Sequence, residues 1–337
     1  MTALGELLPS AHFEIYSKVP RWFFEDSVAA PFTYHSLLTD LGLVQSTPLR
    51  EDLGATVRAL DDFLPFDRVA IKALATRIEK SDCKLVVCDI APLGIAVARE
   101  AAVPSCLIEN FTWDWIYAGY LSEEPRLAGP AAYLKRLFGS ADYHVQTEPV
   151  CEYRHADLIT PPVSRPPKHS RAHTRKNLGI SPHSHAVLIT MGGIPGRFSS
   201  LGKLADTEDF CFIAPGAGHS VHRDGNLILL PHRSHFYHPD LMSASDIVIG
   251  KLGYSTVAEA YYARVPFGYV PRARFRESER IAAFVRTQMQ GIRITEDEFE
   301  RGDWVRRLDE LAALPRVRRS GPNGAEAVAR YLKRLVR

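Results

Sequence analysis

DIVIGKLGYSTVAEAYYARVPFGYVP, residues 246–271, holds a strand, a glycine turn, a helix and a second strand in one unbroken unit. Ile247, Val248 and Ile249 form a short apolar run of the kind that fills a buried parallel strand. Gly250 and Gly253 let the backbone turn tightly and come close to a ligand. Tyr254, Ser255 and Thr256 open the helix, where free N–H groups and the positive dipole end favour an anion such as a nucleotide diphosphate. The Ser255 and Thr256 hydroxyls suit a helix cap or a phosphate oxygen. Lys251 adds a cation beside the turn, and Glu259, one turn further in, is placed to accept hydrogen bonds from ribose hydroxyls. The simpler alternative is a helix start that needs glycine, with a glutamate that complements the dipole.

Two flanking features favour the ligand. The strand ending at Pro271 is followed by RARFRESERIAAF, a polar loop carrying Arg272, Arg274, Arg276 and Glu277 ahead of another helix. Ligands of doubly wound sheets sit at the carboxyl ends of the strands, so this loop is expected to face the same crevice as Gly253. An earlier strand, AVLITMGG, ends in Gly192 and Gly193, which would admit a diphosphate from the other side. The segment PHRSHFYH places His232, His235 and His238 after the strand NLILL, a spacing that invites a metal. Its position at the crevice edge points instead to nucleotide contacts through Arg233 and its neighbours, and no metal is assigned.

In the first half, KLVVCDIAPLGIAVAREAAVPSCLIENFTWDWIY spans residues 84–117. Residues 85–88 form a buried strand that Asp89 ends at the crevice edge; Pro92 starts a helix and residues 105–108 form the next strand. Glu109 and Asn110 then stand at another strand terminus, where with Trp113 they are the candidate acceptor contacts. On a helix Trp113 and Tyr117 share one face, which is core packing in the simpler view and a stacking platform in the functional one. Asp89 and Asp114 are candidate general bases, although an aspartate at such a position equally caps a helix.

With 337 residues, 46% apolar and 24% charged, the chain is large enough for two cores. A net charge of +2 argues against nucleic acid as the main partner. Arg316, Arg318, Arg319, Lys333, Arg334 and Arg337 make the carboxyl end basic, either as a solvated helix face or as a weak contact with anionic lipid. Five cysteines without metal-ligand spacing suit a reducing cytosol. The start, MTALGELLPSAHF, lacks an apolar run of signal or membrane length. TPPVSRPPKHS, residues 160–170, marks a linker. The expected division is residues 1–162, a linker at 163–171, a second unit at 172–319, and a final helix at 320–337 that packs back on the first.

LGELLP followed by HFEIYSKVP places the end of a helix and then a strand at the very start of this sequence. In a doubly wound sheet of order 3-2-1-4-5, the strand without a counterpart is the central one, and its absence would separate strand 2 from strand 4. The sequence is therefore expected to be an incomplete gene product or to start at a mis-assigned codon.

The order "strand, GG; strand, G-x-S-T-x-x-E, helix, strand, P, polar loop" resembles the donor-sugar domain of GT-B glycosyltransferases, similar to the transferase that completes lipid II. Residues 84–117, and more loosely 12–337, look like predicted bacterial glycosyltransferases and the amino-terminal domain of plant L-arabinokinases. The resemblance implies an α/β fold of two Rossmann-like doubly wound domains, the first an acceptor domain and the second a nucleotide-sugar donor domain. It implies that Gly192, Gly193, Gly253, Tyr254, Ser255 and Thr256 hold the donor diphosphate, that Glu259 binds ribose and that Glu277 touches the sugar. Lys251 stands where a small residue or His is usual, Glu277 and Ser278 replace a common Asp-Gln pair, and the Gly/His loop that follows the first strand has no G-H-G counterpart. The implied activity is inverting, metal-independent sugar transfer from a nucleotide diphosphate sugar, UDP-linked, to a small-molecule or lipid-linked hydroxyl acceptor in the cytoplasm. A nucleotide-sugar hydrolase and a non-catalytic binding module share the same signals.

Overall fold

The structure is a computed structural model that describes residues 1–191, 204, 207, 209–317 and 321–336. Its first half contains β1 (Phe13–Ser17) parallel to β2 (Phe32–Ser36), with Phe13 opposite Phe32 and Ser17 opposite Ser36. A small hairpin, β3 (Gln45–Thr47) and β4 (Arg50–Glu51), follows. Four parallel strands then lie side by side in chain order: β5 (Val86–Asp89), β6 (Ser105–Glu109), β7 (Tyr143–Thr147) and β8 (Leu158–Thr160).

No ladder joins β1 to β5 among the described residues. This is the separation of strand 2 from strand 4 that the sequence implied. Its mark on the surface is Val87, in the middle of an apolar run yet 43% exposed. A strand buried on both faces and on both edges would not leave such a valine in water.

The second half is continuous. β9 (His185–Thr190), β10 (Phe210–Pro215), β11 (His222–Asp224), β12 (Leu227–Leu230), β13 (Ile247–Lys251), β14 (Phe267–Val270) and β15 (Gly291–Arg293) form one sheet in the order β11-β12-β10-β9-β13-β14-β15. All neighbours are parallel except β11 on β12. Apart from the antiparallel edge strand β11, this is the doubly wound order 3-2-1-4-5-6, which reverses between β9 and β13. Val187, Leu188, Ile189, Ile247, Val248 and Ile249 are sealed from solvent there, as continuous apolar runs in a parallel sheet should be. Gly250 owes its place to this packing. A Cβ at Gly250 would stand 1.8 Å from Thr190 O of the neighbouring strand, so the glycine permits close strand approach rather than a turn.

The proline-rich segment between the halves is pinned along its length. Val163 N–H donates to Tyr254 Oη (3.0 Å), Ser164 exchanges two hydrogen bonds with Asn323, and the N–H groups of Lys168 and His169 donate to Asp240 Oδ1. Ser170 caps the helix Arg171–Asn177. At the far end, Asn323 caps the helix Gly324–Leu335, whose Val328 and Leu332 pack against Cys106 and Val145 of the first sheet. Burying those two side chains contributes about 1.5–3 kcal/mol each. Gly324 is required at this crossing, because a Cβ would fall 2.0 Å from Pro161 O. No helix among the described residues is long and apolar enough to cross a membrane.

Candidate active site

The reversal between β9 and β13 sets the carboxyl ends of these strands, Thr190 and Lys251, side by side. Gly192 and Gly193 follow β9 but lie outside the described residues. After Lys251 the chain passes through Leu252 to Gly253, the N-cap of the helix Tyr254–Ala263. Val257 N–H is the first amide of this helix to be taken up, by Gly253 O at 3.0 Å. The preceding amides form the anion-favouring end of the helix. Ser255 is exposed and Thr256 buried, and neither hydroxyl has a hydrogen-bond partner among the described residues.

Gly253 corrects one expectation. Its φ of −144° is ordinary extended backbone, and a Cβ there would meet nothing within 4 Å. Neither the turn nor the protein packing demands glycine, and the position faces open space. Tyr254 corrects another. Its Oη accepts from Val163 N–H and points toward Thr147, so the ring anchors the crossing between the halves and only its backbone is left for a ligand. Burial, first, pushes the Tyr254 phenol above its ordinary range, and the nearby charge of Asp89 adds to the effect.

Lys251 is half-buried and has no hydrogen bond or ion pair among the described residues. Burial lowers its ammonium to about 8, with repulsion from Arg272 in the same direction and attraction to Glu277 opposing.

Glu259 is 5% exposed and already engaged. Arg165 donates to Oε1 through Nε (3.1 Å) and Nη2 (2.8 Å), while Oε2 lies 2.6 Å from His238 Nδ1. Burial alone would raise this carboxyl, but His238 and Arg165 hold it below the ordinary value. Arg165 in turn lies over Phe23, 4.6 Å from the ring centroid, and over Tyr237 at 5.3 Å. A ribose at Glu259 therefore joins an existing network rather than meeting a free carboxylate. The sequence missed Arg165 because it stands 94 residues away in the segment taken for a linker.

The three histidines of PHRSHFYH diverge. His238 meets Glu259, His232 packs edge-on to Trp22, and His235 lies against Phe236. No group of three or more potential metal-ligating side chains occurs among the described residues. Arg233 is a surface residue beside Glu25 and Trp22 of the helix Arg21–Glu25, so this loop touches the first half of the chain.

The loop after β14 is the largest correction. Instead of lining the crevice alone, it grips the first half. Arg274 pairs with Glu51 and Glu123, Arg276 donates to Trp115 O (2.6 Å) and covers that indole, and Phe275 meets Phe111 edge-on. Glu277 is 3% exposed, and its Oε1 accepts from Asn110 Nδ2 at 2.9 Å. One hydrogen bond thus joins the expected sugar contact to an expected acceptor contact. Burial raises the Glu277 carboxyl, against the pull of Asn110, Arg272 and Lys251.

The other acceptor candidates are internal. Glu109, 3% exposed, holds His144 and Gln146, each at 2.8 Å. Trp113 donates to Asp40 Oδ2 (3.2 Å) and stacks on Tyr117, which is the core-packing alternative. Asp114 is 5% exposed; Arg154 holds one oxygen at 3.3 Å and the other is buried without a partner. Asp89 differs from all of these, because it remains open to solvent at the end of β5. Although the residue reaches solvent, desolvation by the protein packed around it is the first cause that raises the carboxyl, and repulsion from Asp40 adds to this, opposed by the amino terminus. Asp40 is itself raised by burial against its bond from Trp113. Of the two candidate bases, Asp89 is the accessible one, and its charge reaches the Tyr254 phenol at the crossing between the halves. Asp40 was not legible in the sequence, since its loop carries no motif.

Comparison with known proteins agrees with this architecture. Similar solved structures include the spinosyn forosaminyltransferase SpnP, at 17% identity and a TM-score of 0.56 over 99% of this chain and 90% of that one. Arabidopsis thaliana UGT89C1 complexed with UDP has 13% identity and a TM-score of 0.63 over 99% and 95%. Acinetobacter baumannii MurG has 14% identity and a TM-score of 0.53 over 99% and 94%. The fold is the two-domain, Rossmann-like GT-B fold of glycosyltransferases. Among curated proteins, the L-arabinokinase of Arabidopsis thaliana is 28% identical over 344 residues, covering 97% of this chain and 32% of that protein. The chain thus spans about a third of the length of that relative. No family model matches.

Proposed function

We propose that this chain transfers a sugar, with inversion and without a metal, from a nucleotide diphosphate sugar to a hydroxyl acceptor. The observation that carries this is the open helix start at Gly253, flanked by Lys251 and Glu259 at the point where the strand order reverses. The donor diphosphate lies against the amides of residues 254–256, with the Ser255 and Thr256 hydroxyls and Lys251 beside it, and the ribose meets Glu259. UDP, the nucleotide in the UGT89C1 complex, is the first donor to try. A small-molecule or lipid-linked acceptor lies in the cleft, and the reaction belongs to the cytoplasm.

The acceptor oxygen attacks the anomeric carbon as the bond from that carbon to the diphosphate breaks. Asp89 takes the acceptor proton, and its raised carboxyl suits a base that must release the proton again. The electron pair passes to the diphosphate, where the helix end and Lys251 stabilise the added charge. Arg165 and His238 position Glu259.

The test is calorimetric titration with UDP, GDP, ADP and dTDP, followed by product analysis with the matching sugar nucleotides, with and without hydroxyl acceptors. Selective binding of one nucleotide, and a glycoside formed only with acceptor present, are the expected results. Free sugar released without acceptor would replace transfer by hydrolysis, and binding without turnover would make the chain a binding module. ATP-dependent phosphorylation of L-arabinose by this chain would overturn the proposal outright.

A further inference from the structure

We infer a second anion site, for a phosphate group, at the end of the second sheet opposite the donor crevice. A cavity of about 380 Å³ is lined by Arg171, Ser243, Tyr262, Ala263, Arg264 and Arg316. It lies at the amino ends of β13 and β14, next to Asp246 and Val265, whereas Gly253 lies beyond the carboxyl end of β13. The two places are therefore separated by roughly the length of that strand, about 16 Å.

Charge in this cavity is unbalanced. Arg171, Arg175 and Arg316 converge on the single carboxylate of Asp246, at 2.6, 2.9 and 3.3 Å, and no acidic side chain lines the cavity itself. Arg175 does not line the cavity; Arg264, the third guanidinium that does, has no ion pair or side-chain hydrogen bond among the described residues. The forks are held in place. Arg171 also donates to Ser243 O (3.2 Å) and Ser245 O (2.7 Å), and Arg316 to Ser245 O. Guanidinium groups fixed in this way suit the planar, two-pronged recognition of phosphate oxygens.

Arg264 adds an independent sign. It ends the helix Tyr254–Ala263 with φ of 59°, the left-handed conformation normally given to glycine or asparagine. A residue with a Cβ costs about 1 kcal/mol there. Nothing in the helix ending requires arginine, and what the residue does is put an unpaired cation at the cavity rim. Such strain is retained where the side chain has work to do. The volume admits a phosphate carrying a small substituent, since a water occupies about 30 Å³.

The experiment titrates inorganic phosphate and pyrophosphate into the full chain, into Gly253→Val, in which the donor crevice is obstructed, and into Arg264→Asn and Arg264→Glu on that background. Asparagine suits the left-handed backbone, so a melting temperature at or above that of the parent shows that the protein is folded. The expected result is that Gly253→Val still binds phosphate or pyrophosphate, about tenfold more weakly with Arg264→Asn and not measurably with Arg264→Glu. Co-sedimentation with phosphatidylcholine vesicles, with and without phosphatidic acid, separates the sources. Retention on phosphatidic acid that Arg264→Glu abolishes assigns the site to a lipid headgroup, and response to the soluble anions alone assigns it to a free phosphate compound. If Gly253→Val binds none of these probes, or if the Arg264 variants bind them as their parent does, the inference is wrong.

Discussion

The two sheets start from the same kind of sequence, short apolar runs separated by helices, and arrive at different degrees of closure. The second sheet runs unbroken from β11 to β15 and creates a reversal point between β9 and β13. The first is split between β1 and β5, and its best-placed polar residue, Asp89, stands at the edge of the split. The contrast separates two tasks. In the proposed reading, holding a diphosphate calls for the complete sheet, because the helix start is aimed by the strands on either side, whereas a base calls only for one accessible carboxylate.

The contrast is most directly broken at Gly250. Gly250→Ala forces a Cβ into Thr190 O and should cost about 4 kcal/mol or more, seen as loss of the cooperative unfolding transition in denaturant. Glu259→Gln comes next. It removes the charge between Arg165 and His238, and because both partners are partly exposed the expected loss is about 1–2 kcal/mol. Glu259 has a lowered carboxyl in the folded chain, so its contribution is complete above the ordinary carboxylate range and lost as the pH falls through the lowered value. Stability measured against pH should therefore be flatter on the acid side for the variant. The same variant should weaken nucleotide binding in calorimetry.

Gly253→Val sharpens the comparison by separating binding from stability. The side chain meets open space, so melting should show only about 1 kcal/mol lost at the N-cap, while nucleotide binding falls at least tenfold. If binding survives, the crevice is not at this helix start. Lys251 predicts a pH effect on binding: its ammonium is charged below about 8, so nucleotide affinity should decline as pH rises through that value, and Lys251→Gln should flatten the decline. The smallest effect belongs to the first sheet. Val87→Thr, at the exposed edge strand, should change stability by less than about 0.5 kcal/mol, and a larger loss would mean that this edge is covered in solution.

The strand, helix and strand of residues 246–271 were legible because their signals are local: apolar runs, a helix-opening Ser-Thr pair and a terminal proline. The gap between β1 and β5 was expected from a similarly local signal, a helix end followed by a strand within residues 4–20. The partners of the site residues were not legible. Glu259 meets Arg165, Glu277 meets Asn110, Arg274 meets Glu51, and Trp113 meets Asp40, each across a stretch of chain that no periodicity spans. Sequence pattern places a residue at a strand terminus, but the packing of the halves decides whether it faces a ligand or the other half. The resemblance implied Glu277 as a sugar contact and Glu109 was proposed from its strand terminus; in the structure each is hydrogen-bonded to protein partners.

The chain crosses between its halves twice, at residues 161–170 and again before Gly324, and the two crossings are tied to each other by the Ser164–Asn323 pair. A single tether would let one half swivel freely about the other. Two adjacent tethers act as a door hinge and leave one soft rotation, about the line along which they lie. A rotation of one half about that line would have to break the Arg274–Glu123 and Glu277–Asn110 contacts, which join the halves elsewhere.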